Sequence, residues 1–123
     1  MTQAPPPLQI IQAYGNGGFT TSGVHHDGSI VVWRDKIAPW SPPEDLSALS
    51  AADFQPVMEG ASEIDIVLLG CGARGALVPS ALRGELRAAG LTLESMDTGA
   101  ACRTFNLLQM EGRRVAAMLI AVS

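Results

Sequence analysis

The chain has 123 residues, 47% of them apolar, a mean hydropathy of +0.22 and a net charge of −4 from 8 basic and 12 acidic residues. That length is enough for one domain, residues 1–123, which buries roughly two-thirds of the surface of its unfolded chain. The charge argues against nucleic acid as a partner: no basic run exceeds Arg113-Arg114, and phosphate binding needs a clustered positive face. The apolar content favours a buried partner or self-association surface, a homo-oligomer included, beyond an ordinary core.

The first nine residues, MTQAPPPLQ, have neither the positive start and apolar stretch of a secretory signal nor the Arg-rich pattern of a mitochondrial presequence. Residues 1–7 are expected to be disordered. Strands are expected at Leu8–Tyr14, Phe19–Val24 and Ser29–Arg34, where apolar residues alternate between glycines. Asn16-Gly17-Gly18 reads as one turn. His25-His26-Asp27-Gly28 reads as a hairpin tip, because Asp-Gly supplies positive φ angles. Pro39–Pro43, PWSPP, ends regular structure. Ser50–Asp53 can cap a short helix that Pro56 limits to a turn or two.

The second half reads as β-α-β-α-β. Ile64–Leu69 is a continuous apolar strand. Pro79–Ala89 is a helix with Pro79 in its first turn and Gly90 beyond its end. Leu91–Met96 is a strand and Thr98–Glu111 a second helix. Val115–Val122 is apolar on both faces, so it belongs inside a sheet covered on both sides. At eight residues it is the longest apolar run, far short of the ~20 that span a bilayer. A cytoplasmic bacterial protein is expected, where two cysteines make no disulfide framework. The expected fold is α/β: a compact layered domain, an antiparallel β portion followed by a mainly parallel sheet.

Met96–Asn106, MDTGAACRTFN, is the most informative stretch: a strand end, a Gly/Ala-rich helix start, then Cys102, Arg103 and Asn106 within about a turn. With YGNGGF at Tyr14–Phe19, DGS at Asp27–Ser29, the Trp40 neighbourhood, LLGCG at Leu68–Gly72 and EGRRVAAMLI at Glu111–Ile120, it resembles a family of small domains of unknown function. That family includes the mitochondrial complex I (NADH:ubiquinone oxidoreductase) assembly factor 3 and bacterial relatives. The resemblance covers nearly the whole chain. It implies a layered α/β fold, a role in building a respiratory complex, and respiratory-complex subunits or assembly factors as protein partners. It supplies no reaction.

Gly70-Cys71-Gly72-Ala73-Arg74-Gly75 matches G-x-G-x-x-G after a strand, the pattern that brings backbone close to a pyrophosphate. The helix starts too late to present its N-terminus there, so a glycine-rich turn is the favoured reading. Cys102 near a helix start could be a lowered-pKa nucleophile. It lacks a placed base, since His25 and His26 fall in the expected hairpin tip, and a packed thiol is favoured. Cys71 and Cys102 follow consecutive strands and could be neighbours, yet two thiols without histidines make a poor zinc site. No catalytic residue, cofactor or metal is expected.

Asp97, Arg103 and Asn106 either lock the strand-to-helix turn or, with Gly70 and Gly72, hold a small ligand or anion. Ala101, Phe105 and Leu108 form the core face of the second helix. Leu107 and Met110 point the other way beside Arg103, as a partner-binding stripe would. Trp33 reads as core, and Trp40 could equally anchor an interface. A non-enzymatic binding or assembly module is the leading reading, ahead of a ligand-binding domain and a Cys102 enzyme.

Overall fold

The computed structural model describes residues 8–76 and 78–123. The expected disorder of residues 1–7 lies outside them. Two tight turns set the N-terminal architecture. Asn16-Gly17 and Ser22-Gly23 have φ angles of 53° and 77°, and of 47° and 84°. Positive φ at both central residues is the type I′ turn, whose twist matches that of the strands it joins. The strands Ile11–Gly15 (β1), Gly18–Thr21 (β2) and Val24–Asp27 (β3) therefore form an antiparallel meander in that order. This corrects the expected single strand Phe19–Val24 and the hairpin tip at His25-His26. Ser22 accepts a left-handed conformation beside Gly23, the chain turns there, and both histidines fall in β3. Asp27-Gly28 instead carries the chain out of this sheet.

A second sheet combines Ile30–Val32 (β4), Ile37–Pro39 (β5), Ile66–Gly70 (β6), Thr92–Met96 (β7) and Val115–Leu119 (β8). Its order is β5-β4-β8-β6-β7. β6 runs parallel to β7 and β8, and β4 runs antiparallel to β8 and β5. The expected parallel β-α-β-α-β unit is present, extended by an antiparallel pair. β5 was not foreseen: three residues are too few for a readable alternation, and Pro39 suggested a stop. Gln55–Met58 (α1), Ser80–Ala88 (α2) and Thr98–Met110 (α3) are the helices. Pro56 falls in the first turn of α1, where its missing N–H costs nothing.

β8 is the centre of the molecule. All five of its residues are buried, and they alternate between two cores. Ala116 and Met118 join Val31, Val67, Leu69 and Leu93 under Leu82 and Leu86 of α2, with Trp40, Phe54 and Val57. Val115, Ala117 and Leu119 join Ile30, Val32 and Leu68 under Ala101 and Phe105 of α3, with Ile11 and Phe19 from the small sheet. The fold is thus layered, α2 and the α1 region on one face of the five-stranded sheet, α3 and the three-stranded sheet on the other. Ala101 and Phe105 are fully buried as expected, as are Leu68, Leu69 and Leu119, while Leu108, expected on the same core face, and Ile120 are half-buried against it. Among the described residues no helix is long and apolar enough to cross a membrane.

Candidate functional site

The start of α3 is a joint between both sheets. Asp97 caps the helix: its carboxylate accepts the Ala100 N–H at 2.9 Å. Thr98 is fully buried and makes three bonds. Its hydroxyl donates to the Ile120 carbonyl at 2.7 Å and accepts the Gly72 N–H at 3.0 Å, and its own N–H donates to the Gly72 carbonyl at 2.8 Å. Gly70 is glycine because a Cβ there would stand 3.0 Å from the Thr98 Cα. A Cβ on Gly99 would run into the ring and hydroxyl of Tyr14, which lies across the helix start. Close packing explains both positions without a ligand.

The five expected ligand residues do not converge on one place. Gly70 is buried against Thr98. Gly72 and Asp97 border a hollow of about 480 Å³ with Tyr14, Gly99 and Ser123. Arg103 and Asn106 border a smaller one of about 300 Å³ with Tyr14 and Cys102. Asn106 is committed elsewhere. Its amide accepts the Ile11 N–H and donates to the Ile11 carbonyl, both at 2.9 Å, as a neighbouring strand would. One turn on, Gln109 Nε2 donates to the carbonyls of Gln9 and Arg34 at 3.0 and 3.1 Å. Tyr14, Thr98 and Gln109 were missed in the sequence because their partners lie far along the chain. In the glycine loop, residues 76–79 separate Gly75 from α2, so the helix start stands away from the glycines. A further hollow of about 560 Å³ lies at the opposite ends of the parallel strands, between Trp33, Lys36, Glu59, Glu63 and Arg114.

The two thiols are not neighbours. Cys71 belongs to the α2-side core and Cys102 to the α3-side core, on opposite faces of the sheet. They follow parallel strands as expected, but Cys102 sits a full turn into α3 and points at Phe105's side. Burial pushes the Cys102 thiol up to about 12, and burial also raises Cys71. Both shifts run opposite to the lowered pKa that activates a cysteine nucleophile. Among the described residues no three His, Cys, Asp or Glu side chains gather as metal ligands.

The outward side of α3 is different. Leu107 is 56% exposed and Met110 82%, with exposed Arg103 one turn before Leu107. Trp40 does not extend this surface. It is buried, donates its Nε1–H to the Asp53 carbonyl at 2.9 Å and meets Phe54 edge-on at 6.3 Å. Trp33 is the half-exposed tryptophan instead, with Lys36 Nζ 4.5 Å above its ring.

The fold is shared with known proteins. An uncharacterized protein of Rhodobacter capsulatus is 38% identical over 89% of the chain and 82% of its own length. An NADH dehydrogenase [ubiquinone] 1 alpha subcomplex assembly factor 3 of Danio rerio is 34% identical over 90% of the chain, which spans only 63% of that longer protein. The crystal structure of a Bartonella henselae protein described as an outer membrane protein superposes with a TM-score of 0.85, at 36% identity, over 96% of this chain and 98% of that one. Residues 11–120 match the family described as "Protein of unknown function (DUF498/DUF598)", and the chain belongs to that family as a bacterial member.

Proposed function

We propose that this chain is a non-enzymatic binding module that acts in assembling a respiratory complex, and that it docks on protein partners through Arg103, Leu107 and Met110. The observation that carries the reading is the exposure of Leu107 and Met110 on a helix whose inner face is already complete. An apolar stripe beside an arginine is the composition of an interface centre. The relation to vertebrate assembly factors supports respiratory-complex subunits or their assembly factors as the partner class. The raised thiol pKa values and the engaged side chains of Asp97, Thr98 and Asn106 weigh against catalysis at the α3 start.

The test is co-purification from the native host with wild type, Arg103→Ala and Leu107→Asp. Leu107→Asp would bury a charge in the interface, so bound respiratory-complex subunits or assembly factors should fall at least tenfold while the variant stays folded. A folded Leu107→Asp that retains every wild-type partner moves the docking surface elsewhere.

A second reading rests on the hollow bordered by Gly72, Asp97 and Tyr14, which is large enough for a small anion or metabolite. A ligand screen by thermal shift tests it. A shift abolished by Gly99→Ala, which displaces Tyr14, would favour it over docking alone.

A further inference from the structure

The two sheets present four strand edges, and the chain closes three of them itself. β1 is closed by α3, through the Asn106 amide on both backbone groups of Ile11 and Gln109 on Gln9. β7 is closed by α2: Arg83 donates to the Leu93 carbonyl at 2.7 Å and to the Ser95 hydroxyl at 2.8 Å. β5 is closed by composition. Trp40 N–H bonds back to Ser29 and the Lys36 carbonyl to Trp33, so the outward positions are Ile37 and Pro39, and Pro39 has no N–H to offer. An unpaired edge is a template for another chain, which is why proteins block them.

Among the described residues no side chain or helix caps β3 in this way. It ends the order β1-β2-β3, and among the described residues no strand pairs with its outer side. Thr21 and Val24 close a two-residue turn, and Gly28 N–H bonds the Gly17 carbonyl at 2.7 Å. The backbone groups of residues 24, 26 and 28 therefore face β2, and those of His25 and Asp27 face outward. Val24 is 57% exposed, and the side chains of His25 and Asp27 are 58% and 92% exposed.

We propose that two copies of this chain pair antiparallel along β3, about a two-fold axis at His26, to join their small sheets into one of six strands. The occupant follows from the register. Outward groups pair only with outward groups, so residues 25 and 27 must meet residues 25 and 27 of the second copy. An axis at His26 sets each His25 opposite the second copy's Asp27, imidazole against carboxylate, twice. The alternative registers centre His25 on His25 or Asp27 on Asp27, like against like. Within one strand His25 Nε2 already lies 2.9 Å from the Asp27 carboxylate, so the dimer closes an alternating ring of two imidazoles and two carboxylates. Gly18 leaves space for the imidazole, since a Cβ there would come within 3.1 Å of it. On the other face the axis brings the two copies of His26 together, each half-buried with its Nε2 3.1 Å from its own Thr21 hydroxyl, so this register carries one like pair against two unlike ones, and Val24 falls opposite the second copy's Gly28, which has no side chain to obstruct it. A two-fold contact is self-complementary, and this strand is complementary to itself in that one register. The stripe of Arg103, Leu107 and Met110 takes no part in the pairing.

Sedimentation velocity over a concentration series, with amide exchange by NMR on the same samples, tests the pairing. The mass should rise from 12.9 kDa toward twice that value, with protection appearing at the His25 and Asp27 amides. His25→Asp sets carboxylate against carboxylate in both pairs and should weaken the dimer about tenfold. Adding Asp27→His exchanges the two residues, restores unlike pairs and should recover wild-type affinity to within about threefold. A mass of 12.9 kDa at every concentration overturns the proposal. So does a dimer whose His25 and Asp27 amides exchange at the monomer rate, or a double variant as weak as the single one. A chain that stays monomeric while an added extended peptide protects these amides also overturns it, and assigns the edge to a foreign strand. The exchange measurement on wild type stands even if a variant misfolds.

Discussion

Helices α2 and α3 cover opposite faces of one sheet and finish their outward sides differently. α2 buries Leu82 and Leu86 and exposes Ser80, Glu85 and Arg87 to water. Its half-buried Arg83 is held by β7. α3 buries Ala101, Cys102 and Phe105, clamps β1 with Asn106, and then turns Leu107 and Met110 outward. The sheet imposes the inner faces of both helices. It imposes nothing on the outer ones, where polar residues such as those of α2 would serve the fold equally well. The surplus apolar surface of α3 is therefore the surface that the proposed docking would use.

The largest effects are expected on the inner faces. Phe105→Ala should cost about 3–5 kcal/mol and Leu86→Ala about 2–5 kcal/mol in urea denaturation, since both side chains are fully buried. A loss under about 1 kcal/mol for Phe105→Ala would mean that α3 does not rest on the sheet through that face. Thr98→Val comes next. It keeps the shape but strips the hydroxyl from between the Gly72 N–H and the Ile120 carbonyl, leaving two backbone groups unpaired. The expected loss is about 1–3 kcal/mol, with faster exchange of the Gly72 amide. An unchanged Gly72 amide would show the joint to be redundant.

The same division governs what could be read from the sequence. The β-α-β-α-β half was legible because its elements are long and strongly periodic, and because Pro79, Gly90 and Asp97 mark helix ends. The first half was not, because Ser22-Gly23 is a weaker turn signal than Asp27-Gly28 and β5 is only three residues long. The stripe at Arg103, Leu107 and Met110 was visible from helical spacing alone. The commitments of Asn106 and Gln109 were not, since they bond to residues 95 and 100 positions away. Trp40 reads as a loop residue in sequence, and its packing into the α2-side core, with Phe54 edge-on to it, makes it core.

The two thiols give each helix's core its own pH signature. Burial raises Cys102 from 9.0 to about 12, and it raises Cys71 as well. A raised acid loses nothing below its unfolded pKa, where both states hold the proton. Between pH 9 and 12 the unfolded chain ionises first, so stability should fall by up to about 1.4 kcal/mol per pH unit for Cys102. Stability measured across that range should decline less steeply in Cys102→Ala than in wild type. An identical slope would mean that the thiol on the α3 side meets solvent.

The smallest expected effect on stability falls on the outward face, and it separates the two helices most cleanly. Leu107→Asp exposes a charge that is already in water, so its cost is confined to helix propensity and an acidic group in the last turn, together about 1 kcal/mol or less. Arg87→Asp places the same charge in the last turn of α2, on a face with no apolar surplus. Arg87→Asp changes the charge by two units and removes the basic residue of that last turn, against one unit for Leu107→Asp, so it is the harsher electrostatic control and alters a surface without exposed Leu or Met. Both thermal melts should shift by small amounts, that of Arg87→Asp the more. Partner capture should be lost in Leu107→Asp and kept in Arg87→Asp. Equal loss in both would trace the effect to net charge rather than to a site, and a large melting shift in Leu107→Asp alone would make that side of α3 part of the core.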